Sequence, residues 1–278
     1  MSEVKNNEER FICSIPYSKF GSGRRILVIF QGLSFDNKPV SGASAKGFFD
    51  DGSLKDYTTY IFTRRTGLPE GCSLADMADE YAKMITEEFA VPVDVLGVST
   101  GGSIAQHFAA DYPHLVRRLV LHSSAYTLSD SARRAQMLIG KFAREKKWRA
   151  AYAEMMGISP HKGVIKLLFK PYYWLLSYFG ASMYGKPEDP SDFVSTIEAE
   201  DKFDFKDSLH EIKAPTLVIA GDKDPFYTPE LFRETAQGIP NARLILYKGM
   251  GHPAGGEQFK KDISGFLNED KAFDEDKT

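Results

Sequence analysis

Cysteine is nearly absent from this 278-residue chain: only Cys13 and Cys72 occur. Two thiols that far apart build no disulfide framework, and their scarcity fits a reducing cytoplasm. No uninterrupted apolar run approaches the ~18 residues a spanning helix needs, so stable membrane insertion is not expected. Met1–Arg10 is polar and mixed in charge, without the apolar core of a secretion signal, and a cytoplasmic location is expected. An excess of basic charge is missing too: 35 Lys+Arg stand against 38 Asp+Glu, which argues against electrostatic binding of nucleic acid. There is no internal repeat and no low-complexity block. Cysteine and histidine spacings show no metal-ligand pattern. What remains is ordinary for a soluble globular protein, with 42% hydrophobic and 26% charged residues.

Short β-branched and apolar runs alternate with helical periodicity. The runs Phe11–Pro16, Arg25–Phe30, Thr58–Thr63, Val91–Leu96, Leu119–His122, Thr216–Ala220 and Arg243–Tyr247 read as strands. Continuous apolar character of this length marks strands buried on both faces, as in a parallel sheet. Helical patterns fill the gaps at Ser73–Phe89, Ser103–Asp111, Pro229–Gln237 and Glu257–Phe266. Strands alternating with helices imply an α/β fold with a doubly wound, mostly parallel sheet. One stretch breaks the alternation. After His122 the chain reads as helical until Lys213: Ser131–Gly157 as one helix or two, then Val164–Tyr184 and Ser191–Glu200. Residues 126–212 are therefore expected to form an inserted helical cap, with 1–125 and 213–278 as the core.

The sharpest local signal is Gly97-Val98-Ser99-Thr100-Gly101, set between an apolar run and a helical pattern. In a strand–turn–helix context, G-x-S-x-G presents a serine hydroxyl above the sheet, facing the positive end of the following helix. The blander alternative is a glycine-bearing turn without chemistry. A serine alcohol needs a base, and the base a carboxylate to orient it. Gly221-Asp222-Lys223-Asp224-Pro225 and Gly249-Met250-Gly251-His252-Pro253 each follow an expected strand, where parallel sheets place their ligand sites. The remaining histidines, His107, His114, His122, His161 and His210, follow no late core strand and read as structural.

The order Ser…Asp…His, with DYPHLVRRLVL (Asp111–Leu121) and IKAPTLVIAGDKD (Ile212–Asp224), resembles the cap-bearing α/β-hydrolase superfamily over nearly the whole chain. That resemblance implies Ser99 as nucleophile, His252 as base and Asp224 as orienting acid, with Asp222 the rival two residues away. It implies two backbone donors for an oxyanion, on Thr100 and Leu33, the latter from Phe30-Gln31-Gly32-Leu33. Here the sequence departs from the family's His-Gly-x-Pro twice, at Gln31 and at Ser34. No cofactor and no metal are expected.

Leu167–Tyr184 holds seven aromatics, and an apolar roof over Ser99 is the expectation, with Tyr173 and Trp174 contributing to the substrate pocket. Lid-to-core packing is the plainer reading, and docking on a membrane is disfavoured because Lys170 and Pro171 interrupt the run. The basic series Arg133, Arg134, Lys141, Arg144, Lys146, Lys147 and Arg149 reads as a solvated face. The expected activity is cofactor-independent hydrolysis of a carboxylic ester through an acyl-enzyme, on a small to medium apolar substrate. Epoxide hydrolases and haloalkane dehalogenases carry aspartate at the position of Ser99, so the resemblance disfavours them. Carbon–carbon hydrolases of ring-cleavage products, thioesterases, lactonases, proline iminopeptidases and cofactor-free haloperoxidases share the serine and stay open, as does a non-enzymatic small-ligand receptor. Oligomeric state is not legible.

Overall fold

The computed structural model describes residues 10–40, 54–158 and 163–269. Its frame is a sheet of eight strands in the order β1-β2-β4-β3-β5-β6-β7-β8. The strands are β1 (Arg10–Ile12), β2 (Ile15–Phe20), β3 (Arg25–Phe30), β4 (Tyr57–Phe62), β5 (Val93–Val98), β6 (Val116–His122), β7 (Thr216–Gly221) and β8 (Ala242–Tyr247). From β4 to β8 all neighbours run parallel, and β2 pairs antiparallel with β4. Phe11–Pro16 is not one strand. Cys13 and Ser14 adopt positive φ (49° and 67°) and turn the chain, so that Ile12 pairs with Ile15 in a two-residue hairpin.

Apolar runs such as RILVIF sit centrally because both sheet faces are covered. On one face lie α1 (Leu74–Glu88), α2 (Thr100–Asp111) and α8 (Pro229–Gly238), whose Met77, Tyr81, Ile104, Phe108 and Phe232 join Val28, Phe30, Val95 and Val218. On the other, Phe259, Ile263, Phe266 and Leu267 of α9 (Glu257–Leu267) pack on Leu27, Ile29, Leu96 and Ile219. Helix α1 starts where its sequence says it should: the Ser73 hydroxyl accepts from the Asp76 amide, and the Asp76 carboxylate accepts from the Ser73 amide.

Between β6 and β7 come α3 (Asp130–Arg144), α4 (Trp148–Met156), α5 (Gly163–Leu176), α6 (Gly180–Tyr184) and α7 (Ser191–Asp201). They gather a third core around Ile139, Trp148, Tyr152, Phe193 and Ile197. Phe35, from the loop after β3, inserts there and stacks on Phe193 at 4.3 Å. The chain leaves β3 toward β4 on one side and returns to β5 on the other. The crevice between the β3 and β5 ends is therefore the switch point where such sheets place a ligand. The helical insertion overhangs it.

Candidate active site

Ser99 closes β5 and opens α2 with φ 52° and ψ −124°, a strained backbone for a residue with a side chain. The glycines around it let strand and helix close up. A Cβ on Gly97 would lie 2.5 Å from the Gly102 Cα, one on Gly101 would lie 2.1 Å from the Phe30 carbonyl oxygen, and one on Gly102 would meet Ser124 at 2.4 Å. The turn lifts the Ser99 hydroxyl out of the sheet toward His252, which follows β8. His252 Nε2 lies 3.1 Å from Ser99 Oγ, and Nδ1 lies 2.7 Å from Asp224 Oδ2. Asp224, beyond the end of β7, is buried, and its other oxygen accepts the amides of Phe226 (2.8 Å) and Tyr227 (3.2 Å). The structure thus brings Ser99, His252 and Asp224 together. Asp222 holds its own loop instead, accepting the Gly249 amide at 2.6 Å.

His122 is fully buried at the end of β6, with Nε2 2.8 Å from the Ala254 carbonyl, and burial pushes its pKa down to about 3. It is a neutral ring tilted against Phe259, with centroids 4.3 Å apart. His107 packs against Phe203 and Phe205. His161 lies outside the described residues. No group of His, Cys, Asp or Glu among the described residues has the geometry of a metal site.

Thr100 and Leu33 flank Ser99 on the two sides of the crevice. Among the described residues, neither amide donates to another protein group. An unpartnered amide at a helix N-terminus and a second on the facing loop form an arrangement able to receive a developing oxyanion. Gly32 permits the approach, since its Cβ position is 3.3 Å from Ser99 Cβ.

Ser99 and His252 open into a cavity of about 560 Å³ walled by Leu33, Phe35, Met155, Met156, Ile158, Met183, Tyr184 and Phe226. No Asp, Glu, Lys or Arg lines it among the described residues. Tyr173 and Trp174 do not reach it. They border a separate cavity of about 390 Å³ with Phe142, Ala153 and Pro171, on the outer side of the insertion. On α5, Leu168, Tyr172, Trp174 and Leu175 are all exposed, and Arg149 stacks over the rings of Trp174 and Tyr178. The residues at the mouth come instead from the end of α4 and from α6, and their methionines carry no spacing signal.

Sequence reasoning also missed a buried carboxyl below the elbow. Glu200, at the end of α7, accepts from Thr100 Oγ1 and Gln136 Nε2, both at 2.7 Å, and from Tyr227 and Ser103 at 3.4 Å. Burial pushes its pKa above the ordinary carboxyl value, opposed by the hydrogen bonds from Thr100, Gln136 and Ser103 and by the charge of Arg64. Its only mark in the sequence is an acid on the inward side of an otherwise ordinary amphipathic helix.

Among curated proteins, the chain is 31% identical over 166 residues to a poly(3-hydroxyalkanoate) depolymerase of Ectopseudomonas oleovorans, covering 55% of this chain and 52% of that protein. It is 27% identical over 176 residues to a proline iminopeptidase of Pestalotiopsis fici, covering 58% and 60%. The chain thus spans little more than half the length of these relatives. Among solved structures, an alpha/beta hydrolase from a Medee basin deep-sea metagenome library superposes with a TM-score of 0.73 at 18% identity, over 92% of this chain and 93% of that one. The pattern of the alpha/beta hydrolase family matches residues 32–258, from the loop after β3 through His252 into α9. With that match extending over most of the chain, and over Ser99, Asp224 and His252, the chain belongs to the alpha/beta hydrolase family.

Proposed function

We propose that the protein is a cofactor-independent serine hydrolase that cleaves a neutral carboxylic ester through an acyl-enzyme. The observation that carries this reading is the hydrogen-bonded line Asp224–His252–Ser99, with its serine in a cavity lined by no Asp, Glu, Lys or Arg among the described residues. In this reading His252 Nε2 takes the Ser99 proton as Oγ attacks the ester carbonyl. Asp224 holds the imidazole tautomer and stabilises the imidazolium, and the Thr100 and Leu33 amides receive the carbonyl oxygen as it becomes negative. The imidazolium then protonates the departing alcohol. Water, deprotonated by the same histidine, releases the acid.

The lining favours an ester over a substrate with a charged amino terminus, because no carboxylate among the described residues lines the cavity to receive an ammonium. Three methionines, Met155, Met156 and Met183, give the wall a soft, adaptable surface suited to an acyl chain. The test is turnover of p-nitrophenyl acyl esters by the native chain and by Ser99→Ala. The variant is expected to fold and to lose activity by about 10⁴-fold or more. A fluorophosphonate should label Ser99. Label at another serine, such as Ser123, would remove Ser99 from the reaction.

A further inference from the structure

The two amides that face the oxyanion site are held in different ways. Thr100 is aimed by its helix. The Ser99 carbonyl accepts from Gly102 at 2.7 Å and from Ser103 at 3.3 Å, so it points down the axis of α2. A trans peptide sets its N–H opposite its C=O, and the Thr100 N–H therefore points out of the helix end into the crevice. Leu33 has no such ladder, because residues 31–34 form a loop.

The loop's substitute is Arg64, two residues past the end of β4. It is one of the largest fully buried side chains, 2% exposed, and no carboxylate contacts it among the described residues. Its Nη1 and Nη2 each donate to the Gly32 carbonyl at 3.1 Å, and Nη1 also donates to the Gln31 carbonyl at 3.1 Å. The Gly32 carbonyl and the Leu33 N–H belong to one peptide unit. Pinning that oxygen on a guanidinium directs the N–H the other way, toward the cavity that Gly32 and Leu33 line beside Ser99.

We propose that Arg64 is a positioning residue for the oxyanion site: its fork fixes and polarises the Gly32–Leu33 peptide so that the Leu33 N–H meets the developing negative oxygen. Charge-assisted donation to a carbonyl draws electron density from the rest of the amide and makes its N–H a better donor. The guanidinium also places a buried positive charge behind the site. This accounts for why an arginine is buried with backbone carbonyls as its partners. The proposal rests on the ester-hydrolase reading for its kinetic test but not for its structural one.

The kinetic test compares native protein with Arg64→Lys and Arg64→Met on p-nitrophenyl butyrate, with thermal unfolding recorded for each. Removing an oxyanion donor costs about 10²- to 10³-fold in kcat, so misaiming one is expected to lower kcat about 10- to 100-fold in Arg64→Met, with KM within about twofold. Arg64→Lys, which keeps the charge without the fork, should fall between. Folded variants with native kcat, or a loss carried by KM, would overturn the proposal. The structural test needs no variant: a crystal structure of the native chain with a fluorophosphonate adduct on Ser99. The phosphonyl oxygen should lie within about 3.2 Å of Leu33 N while Arg64 still grips Gly32. An oxygen held elsewhere, or Arg64 withdrawn from Gly32, overturns the proposal even if neither variant folds. A native chain that labels at Ser99 yet turns over no ester sinks the ester reading alone; one that does neither sinks both.

Discussion

Asp222 and Asp224 stand two places apart on one turn and serve different partners: Asp224 accepts from His252, whereas Asp222 accepts from the Gly249 amide. Both carboxylates thus bind the loop that carries the histidine, one through the ring and one through the backbone. Asp224→Asn is expected to keep the fold and lower kcat by about 10⁴-fold, because an amide favours the wrong imidazole tautomer. Asp222→Asn keeps an acceptor for Gly249 and should change kcat by less than about fivefold. Steady-state rates for the two variants on one ester decide the matter. Equal losses would put Asp222 in the machinery.

How far the sequence announces this arrangement depends on whether a local pattern carries the information. RILVIF and TLVIA name buried strands because a continuous apolar run has few other places to go, and β3 begins and ends where the run does. Ser99, Asp224 and His252 follow such runs, so their position at strand ends was legible too. The hairpin at Cys13-Ser14 was not, because neither residue signals positive φ. Nor was the direction of α5, since seven aromatics show that a segment is apolar but not which face it turns to the core. Arg64 and Glu200 are long-range features: each becomes significant only when β4, the β3 loop, α2 and α7 are brought together.

Cavity shape predicts acyl-chain selectivity. Each buried methylene contributes about 0.8 kcal/mol, which raises kcat/KM about fourfold per carbon until the space over Ser99 is full. A series of p-nitrophenyl esters should therefore rise from acetyl over a few carbons and then fall. Met156 and Met183 line that space. Met156→Ala should shift the optimum to longer chains, while Trp174→Ala, on the outer cavity, should leave the profile in place. A shift with Trp174→Ala and none with Met156→Ala would reverse the assignment of the wall.

His122 gives stability a dependence on acid. Folded, its buried ring stays neutral down to about pH 3; unfolded, it titrates near 6.5. Between these values the unfolded chain binds the extra proton, so this group's contribution is present above about pH 6.5 and is lost as pH falls. The slope is up to about 1.4 kcal/mol per pH unit. His122→Phe keeps a ring against Phe259 and removes the proton site. Urea denaturation at pH 7 and pH 5 should show a smaller acid loss in the variant, whatever its absolute stability. Identical losses in the two proteins would mean that His122 is not the titrating group.

Glu200 should act in the opposite direction. Burial raises its folded pKa above the unfolded value, so its stabilising contribution is complete below about pH 4.5 and diminishes as pH rises through the folded pKa. Glu200→Gln removes the ionisation and keeps a carbonyl that can accept from the Thr100 hydroxyl. Its amide group can donate in turn to Gln136, whose side-chain oxygen has no hydrogen-bond partner among the described residues. The substitution loses some hydrogen-bond strength at any pH, because a carboxylate is the better acceptor. Relative to the native chain, the variant should therefore gain stability as pH rises from about 5 to 8. The sign follows from desolvation being the largest influence on this carboxyl: the donors Thr100, Gln136 and Ser103 and the charge of Arg64 oppose the penalty without cancelling it. Denaturation midpoints of both proteins across that range give the difference directly. A difference that stays constant with pH, or moves against the variant as pH rises, would mean that the donors and Arg64 hold Glu200 ionised in the folded chain at every pH tested, with its folded pKa at or below the unfolded one.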